Sequence, residues 1–533
     1  MLKKIIINVI ILFIILFILD LFKINTFINI NYIILIITLL LGLFIIINKN
    51  IEDISPTTGE RIIVIILIII LFSGFFSQLW VAKTRWIGTD EGRLLYDGVL
   101  ISHGETPFKD FFTRSPFLIY LIAFVQSLYS NPSIMTGRII SLLSNLFTGL
   151  LVFLIGKKIY GSKVGLLSSL LVLFSPLIYL QTQIRTEPLQ LFLVSLAMYF
   201  LYIHFENKKN KFLILYGLFL GLAVLVRANA AVFIITTPIL ILINYKNLKD
   251  SFKKSLYLII PFLLIIIPPL SYFAWIIKDL VPFLSGASLG LSTIDLNVTL
   301  ERLKFGLNNI IYLLPFIAIF CIYLIKEKNK KIKQKHVYIL FWAISIFLFY
   351  FYLTLTRSFW SQYIIELIPP LSLMASYTIV RLYYHLKLNH KKNFLKICIF
   401  CIFFISLITS SHLNALQDGV RYEQNRVVEI ANYLKDNTPQ ESNILSGSPI
   451  WQYMSNRKVA LKLSHPRIED PEEKKKIIAS LENKEIDYII MDGTVRLFLE
   501  DERIKEIINS DFKEIADFGK NWFAEFKILQ LKK

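Results

Sequence analysis

Long runs of apolar residues recur through the first three quarters of the chain, separated by short polar connections. About 20 helical residues cross a hydrocarbon core about 30 Å thick, and most of these runs approach that length. Thirteen predicted spans lie near residues 5–22, 29–48, 61–80, 137–155, 163–181, 187–205, 212–226, 228–244, 256–275, 307–325, 337–355, 364–384 and 394–411. The runs are continuous rather than alternating, so they predict a polytopic α-helical membrane protein and not a barrel.

The basic residues are unevenly distributed along the chain, which has a net charge of +19. The part up to Ser411 holds 38 Lys/Arg against 17 Asp/Glu, whereas the tail from His412 holds 19 against 21. Alternate connections between the predicted spans contain 24 Lys/Arg and only 6 acids. Cytoplasmic loops are enriched in basic residues, so this set is predicted to be cytoplasmic and the other connections external. The excess therefore indicates membrane topology rather than nucleic-acid binding.

The pattern of the chain changes after Ser411. Segments 425–437 and 471–486 have helical apolar spacing, while 487–492 and 526–531 have the pattern of short strands. These elements predict a small α/β domain. The predicted organisation is an accessory transmembrane hairpin at 1–60, a main transmembrane domain at 61–411 with an external loop at 81–136, and an extracytoplasmic α/β domain at 412–533.

The external loop after the third span concentrates charged residues between apolar segments. It reads TDEGRLLYDGVLISHGETPFKDFFTRSPFLIY over residues 89–120, with Asp90 and Glu91 at the membrane boundary and Asp110 and Arg114 further along. An ordinary solvated loop can begin in the same way, but acids, a basic residue and aromatics gathered together favour a functional surface. We expect Asp110 to brace the loop and the short apolar run after Arg114 to lie along the interface.

This loop resembles the first external loop of the GT-C membrane glycosyltransferases, especially that of the protein O-mannosyltransferases and of the aminoarabinose transferase of lipid A. Those families open the loop with an acidic pair, followed by a turn of small residues and a basic residue near proline. The resemblance continues in order through IRTEPLQLFLVSLAMYF, GLFLGLAVLVRANAAVFI and SFWSQYIIELIPPLSLMAS. It implies a GT-C-like fold and an inverting transfer of a hexosyl or pentosyl group from a polyprenyl phosphate on the outer face of the membrane.

The resemblance also implies roles for the acidic pair. Asp90 matches the catalytic aspartate of the family in position, and Glu91 is either the alternative base or an orienting partner. An acceptor hydroxyl is a weak nucleophile, so a carboxylate must take its proton as the hydroxyl attacks the anomeric carbon. Inversion requires one such base, acting opposite the leaving group.

The leaving group in such a reaction is a lipid phosphate, so cations should meet the negative charge that develops on it. Arg114 lies where the family has a basic residue that contacts lipid phosphate. Arg227 lies at an outward helix turn where similar proteins often carry Lys-Gly, and an arginine in an apolar hairpin usually marks a function. The alternative for Arg227 is a side chain that extends to the lipid headgroups. Both arginines are predicted to bind the donor phosphate.

Two further pairs are predicted to line the cleft and contact the acceptor. Arg185 and Glu187 match the corner where the family has a second acid facing the cleft, although an internal Arg–Glu pair at a helix end gives the same pattern. Trp360 and Tyr363 lie at the predicted outer interface, where aromatic belts are common. We expect these two rings to stack on the sugar or pack on the prenyl chain.

The residues also bear on cofactors and partners. Histidine, cysteine and acidic residues show no metal-ligand spacing, so no cofactor and no obligatory metal are predicted. A divalent metal stays an alternative, because oligosaccharyltransferase-type relatives use one. The expected partners are a polyprenyl-phosphate sugar, membrane lipid and a hydroxyl acceptor on a protein, glycan or lipid, without nucleic acid.

The main alternative function is that of a transporter or flippase for lipid-linked sugars. Transporters commonly show inverted repeats and broken midplane helices in both halves, and neither pattern is visible in the sequence. Asp90, Arg114, Arg185 and Glu187 are all predicted to lie at one face rather than at mid-bilayer depth. A glycan ligase or polymerase of related architecture should lack the early acidic loop. The preferred interpretation is a multi-pass enzyme of the cell membrane.

Overall fold

A computed structural model of the chain consists mainly of helices, followed by a small sheet near the C terminus. The structure describes residues 45, 56–85, 87–111, 113, 116–129, 133–245, 247–277, 296–308, 310–327, 330–355, 361–389, 426–462, 471–492, 495–520 and 525–532. Arg114, Trp360 and three predicted spans, 5–22, 29–48 (apart from Ile45) and 394–411, lie outside these residues.

The helices of the membrane part are α1 (Pro56–Thr84), α2 (Thr89–Ser102), α3 (Pro116–Ser127), α4 (Ile134–Tyr160), α5 (Ser162–Leu173), α6 (Pro176–Leu180), α7 (Thr186–Asn207), α8 (Lys211–Val226), α9 (Val232–Tyr245), α10 (Leu248–Ile277), α11 (Leu296–Asn308), α12 (Leu314–Lys326), α13 (Lys330–Leu355) and α14 (Ile368–Asn389). Short 3-10 segments occupy Ala228–Ala231, Ile311–Leu313 and Ser361–Leu367. The C-terminal part contains α15 (426–437), β1 (Asn443–Leu445), α16 (Ile450–Ser455), β2 (Lys458–Val459), the 3-10 segment Ala460–Lys462, α17 (Pro471–Glu482), β3 (Tyr488–Met491), α18 (Val495–Phe498), α19 (Glu502–Asp511), β4 (Phe512–Lys520) and β5 (Glu525–Leu531).

Seven helices in the described part of the chain are long and apolar enough to cross a membrane, and the bent pair Asn297–Asn308 and Ile311–Lys326 gives an eighth if it counts as one span. The predicted span 163–181 is interrupted between α5 and α6, where Pro176 begins a new helix. The predicted span 212–226 corresponds to α8, which has only 16 residues. The polytopic α-helical fold class is confirmed, whereas the number of thirteen spans stays a prediction.

Buried polar contacts and close backbone approaches join the helices. Gln78 of α1 accepts a hydrogen bond from Asn145 of α4 at 3.1 Å and donates one to the Leu173 carbonyl of α5, also at 3.1 Å. A Cβ placed on Gly156 would lie 2.8 Å from the Cα of Gly165, so the backbones of α4 and α5 touch there. Small residues and shared hydrogen bonds are the means by which helices associate within lipid.

The bundle has two chemically different ends. Lys157 at the end of α4 lies 3.9 Å from Glu60 at the start of α1, and Lys158 lies 3.4 Å from Glu206 at the end of α7. These residues belong to connections predicted to be cytoplasmic, and we call their end of the bundle the inner end. The opposite end carries the acidic loop, the RTEP segment and the turn at Arg227, and we call it the outer end.

The C-terminal part forms a five-stranded sheet with the order β2-β1-β3-β5-β4. Strands β2, β1 and β3 are parallel, while β5 is antiparallel to both β3 and β4. Helices α17 and α19 pack on the sheet through Ile477, Leu481 and Ile504, which are buried with Ile489 of β3. The predicted helices and the strands β3 and β5 are confirmed, and the sequence interpretation missed β1, β2 and β4.

Candidate active site

Helix α2 presents the two acids of the external loop differently. It begins after Gly88, which is extended, and both Asp90 and Glu91 lie in its first turn. Successive residues of a helix point about 100° apart, so neighbours face different surroundings. Asp90 is exposed, whereas Glu91 is buried.

Glu91 is fixed by a bidentate ion pair with Arg138 of α4. Arg138 donates from Nε to Oε1 at 2.7 Å and from Nη2 to Oε2 at 2.6 Å, and both side chains are 1% exposed. The backbone N–H of Ile184 also donates to Oε1, at 3.1 Å. Arg138 in turn donates to the carbonyl of Ala82, at the end of α1. With both oxygens engaged in this way, Glu91 is suited to orient its neighbours and poorly placed to accept a proton from a substrate.

Further arginines surround this ion pair. Arg85 is buried and donates from Nη1 to the carbonyl of Tyr179 at 2.8 Å. Burial lowers the pKa of Arg85 to about 9, and the neighbouring cations Arg185 and Arg138 act in the same direction while Glu91 opposes them. Arg85 therefore stays charged at neutral pH. Arg85, Arg138 and Arg185 outnumber Glu91, so this part of the outer end is electropositive.

Arg185 differs from the other arginines of the outer end. It lies just before α7, with an extended backbone, and its side chain is half-buried. Among the residues that the structure describes, Arg185 has no hydrogen-bond or ion-pair partner. It lies near enough to Arg85 and to Glu187 to interact with both electrostatically. An arginine in this position retains its hydrogen-bonding capacity for a ligand.

A second ion pair lies beside Arg185. Arg227, at the extended break after α8, places Nη1 2.6 Å from Oε1 of Glu187, and the two side chains are 12% and 6% exposed. The guanidinium of Arg227 also lies 4.0 Å from the centre of the Tyr363 ring. Glu366 is buried nearby, and the side-chain amide of Gln190 lies 3.2 Å from its Oε1. The pair therefore links the start of α7, the end of α8 and the segment before α14.

The structure thus brings most of the predicted site residues to one end of the bundle. Arg227 and Glu187, which sequence reasoning assigned to phosphate and acceptor separately, are partners of each other. Arg114 and Trp360 lie outside the described residues, so their roles stay predictions. Asp110 accepts a hydrogen bond from the backbone of Thr106 at 2.8 Å, which is the bracing contact expected of it.

Sequence reasoning missed two residues of this end, Arg138 and Arg85. Arg138 lies four residues into an apolar helix and Arg85 immediately follows one. A charged residue inside or beside an apolar run is the same signal that identified Arg227, and it marks a functional position by default. Within the described ranges, no group of three or more His, Cys, Asp or Glu residues is placed to hold a metal ion.

Known proteins resemble this chain in sequence and in fold. Residues 113–272 match a family model described as dolichyl-phosphate-mannose-protein mannosyltransferase. ArnT from Cupriavidus metallidurans, solved bound to undecaprenyl phosphate, superposes with a TM-score of 0.63 at 12% identity over 89% of this chain and 98% of ArnT. The oligosaccharyltransferase AglB from Archaeoglobus fulgidus, solved with an inhibitory peptide and a dolichol-phosphate, gives a TM-score of 0.52 at 11% identity over 93% of this chain and 74% of AglB. A search of curated proteins found no match. The resemblance to the GT-C proteins is thereby confirmed, and the chain has the fold of ArnT.

Proposed function

We propose that this protein is an inverting glycosyltransferase that moves a sugar from a polyprenyl phosphate to an acceptor hydroxyl on the outer face of the membrane. The observation that carries the proposal is the contrast within the acidic pair of α2. Asp90 is exposed, while Glu91 next to it is held by Arg138 at the edge of an electropositive group. An accessible carboxylate on a braced helix, close to cations, is what general-base attack on a lipid-phosphate sugar requires.

Asp90 is the proposed base. Its carboxylate takes the proton of the acceptor hydroxyl while the hydroxyl oxygen forms a bond to the anomeric carbon. The bond between that carbon and the phosphate oxygen breaks on the opposite face of the sugar, and its electron pair leaves with the lipid phosphate. One base and one displacement invert the anomeric configuration. Glu91 then acts as the orienting partner of Asp90, because its own oxygens accept from Arg138 and Ile184.

Arg185 is the described cation best placed to meet the departing phosphate. Its side chain is half-buried and has no partner among the described residues, whereas Arg227 is neutralised by Glu187. Arg114 keeps its predicted contact with the lipid phosphate. In this arrangement Arg227 contributes mainly by fixing Glu187 and Tyr363 at the cleft.

The similar structures support a lipid-phosphate donor. ArnT was solved with undecaprenyl phosphate and AglB with a dolichol-phosphate, and the family model that matches residues 113–272 describes a dolichyl-phosphate-mannose enzyme. Asp90 lies before the matched segment, so its role rests on its position in the fold and on its chemistry.

A transporter would need its charged residues at mid-bilayer depth. Here Arg138, Glu187 and Arg227 all lie near helix ends.

The test is sugar transfer by purified protein supplied with polyprenyl-phosphate sugars and a set of hydroxyl acceptors. Asp90→Asn keeps the size of the side chain but removes the basic carboxylate, so turnover should fall by about 10²- to 10⁴-fold. Donor binding and thermal stability should be retained. Asp110→Asn is the matched control, because it makes the same change in the same loop and can still accept the hydrogen bond from Thr106. Wild-type turnover by Asp90→Asn would remove the proposed base.

A further inference from the structure

The C-terminal domain turns one edge of its sheet toward helix α2. Strands β2, β1 and β3 are parallel, so their carboxyl ends lie along the same edge. Asp492, which follows β3, accepts from the Gly447 N–H at 2.9 Å and from the Val495 N–H at 2.8 Å, and so fixes the loop after β1. In open α/β sheets this edge is where ligands usually bind. Here it is covered by part of the same chain.

Helix α2 packs directly against that edge. A Cβ on Gly92 would lie 2.7 Å from the Cβ of Ile450 and 3.0 Å from Oγ of Ser448, so only glycine fits there without displacement. One turn further along α2, the hydroxyl of Tyr96 accepts a hydrogen bond from the Val459 N–H at 2.9 Å. Gly92 and Tyr96 are four residues apart and therefore share one face of α2. The C-terminal domain therefore contacts this face of α2.

Tyr453 of α16 connects the C-terminal domain to two further elements, helix α3 and the residue just before α4. Its hydroxyl donates to the Ser133 carbonyl at 3.0 Å and accepts from the Ser133 N–H at 3.1 Å, just before α4 begins. Gln126 of α3 donates to the same hydroxyl at 3.3 Å and to the Leu95 carbonyl of α2 at 3.0 Å. Tyr453 is 3% exposed, so loss of its hydroxyl leaves buried polar groups without this partner.

Helix α2 is therefore held from two directions. Glu91 attaches it to α4 through Arg138, and Gly92 and Tyr96 attach it to the C-terminal domain. Asp90 immediately precedes these three anchors. We infer that the C-terminal domain holds the helix that bears Asp90 in its catalytic orientation, and that Tyr453 is a positioning residue for the transfer reaction. This inference rests on the proposed function, since it assumes that Asp90 is the base.

The experiment compares two variants of the full chain with a matched control. Tyr453→Phe removes the hydroxyl, and Gly92→Ala forces a Cβ against Ile450. Tyr488→Phe makes the same chemical change as the first variant inside the domain, where the Tyr488 hydroxyl contacts only Gln530 at 3.2 Å among the hydrogen bonds of the described residues. Backbone amide hydrogen exchange across residues 89–102 is measured together with turnover per donor-binding site.

Both test variants should exchange the amides of α2 about two- to tenfold faster, as expected for the loss of one anchoring contact. Turnover per donor-bound molecule should fall by a similar factor while the KM for the lipid donor is unchanged. A purely structural role would instead reduce the number of donor-binding molecules and leave their turnover as in the wild type. Tyr488→Phe should leave exchange and turnover unchanged.

Unchanged exchange of α2 in both variants would overturn the inference, as would faster exchange with full turnover per site. The exchange measurement needs no substrate, so it separates this inference from the proposed function. A wild-type protein that transfers no sugar from any polyprenyl phosphate would refute the proposed function, and the catalytic part of the inference with it. Faster exchange in the variants would then show only that the domain restrains α2.

Discussion

The two ends of the helical bundle use charged residues in different ways. At the outer end, Arg138 and Glu91 form a bidentate pair in which both side chains are 1% exposed. At the inner end, Lys158 and Glu206 lie 3.4 Å apart with side chains 39% and 41% exposed. Removing two charges from water costs several kcal/mol per ion before their attraction is regained, whereas an exposed pair has little to lose or gain. Of these two pairs, the costly one therefore lies at the outer end.

The choice of cation follows the same division. Arginine predominates in the buried pairs of the outer end, where its planar fork can satisfy both oxygens of a carboxylate. Lysine predominates at the inner end, where Lys208 lies 4.9 Å from the ring centre of Tyr245 and Lys163 lies 4.9 Å from that of Tyr384. Basic residues in the short connections between spans bias the orientation of a membrane protein. The two ends therefore differ in their predominant cation, and the proposed function assigns the chemistry to the outer end.

The largest effect that tests this comparison is expected on stability at the outer end. Arg138→Ala leaves the Glu91 carboxylate buried without its partner, which should cost about 3–5 kcal/mol of unfolding free energy. Arg138→Lys should recover part of that loss, because a single ammonium replaces one of the two donors. The measurement is the free energy of unfolding of the purified protein in detergent. An Arg138→Ala variant as stable as the wild type would show that the buried pair is not what braces α2.

An intermediate effect is expected for substitution of Arg185, and it concerns the use of the lipid donor rather than stability. Arg185→Ala removes a charge-assisted contact worth about 1.5–3 kcal/mol, which corresponds to about a ten- to hundredfold loss in kcat/KM for the polyprenyl-phosphate sugar. Stability should change little, because Arg185 has no partner among the described residues. Arg227→Ala is the informative counterpart, since it leaves Glu187 unpaired and should lower stability. If Arg227→Ala loses donor use at normal stability while Arg185→Ala does not, the two arginines exchange roles.

Part of this site was predictable from the sequence, because its signals are local. Asp90, Glu91, Arg185, Glu187 and Arg227 each stand out as charged residues at the end of an apolar run. The pairing of Glu187 with Arg227 was not predictable, because it depends on how the start of α7 meets the end of α8. Sequence order alone cannot show that an acid and a base 40 positions apart neutralise each other.

The fold was likewise predictable where the signal is local and not predictable where it depends on tertiary contacts. Hydrophobic run length predicted the long helices correctly, but it did not reveal the interruption at Pro176 within a run that stays apolar. In the C-terminal domain, β3 and β5 are apolar and were predicted. Strand β1 has three residues and β2 has two, so neither shows a period that sequence reasoning can detect. Their pairing with longer neighbours makes them strands.

The smallest effect is expected at the inner end. Lys158→Gln removes one partner of an exposed pair, and such pairs contribute about 0–1 kcal/mol, so the free energy of unfolding should change by less than about 1 kcal/mol. Sugar transfer and donor use should equal those of the wild type. The orientation of the protein should also persist, because the connections predicted to be cytoplasmic hold 24 basic residues and lose only one.

Lys157→Gln is a matched second variant, since Lys157 lies 3.9 Å from an even more exposed Glu60. Unfolding and donor-use assays on these two variants, run beside Arg138→Ala and Arg185→Ala, show whether charged residues at the two ends differ in their effects. A loss of donor use at Lys158 as large as that at Arg185 would mean that inner-end charges also serve the reaction, and burial would then no longer separate functional from topological charge in this protein.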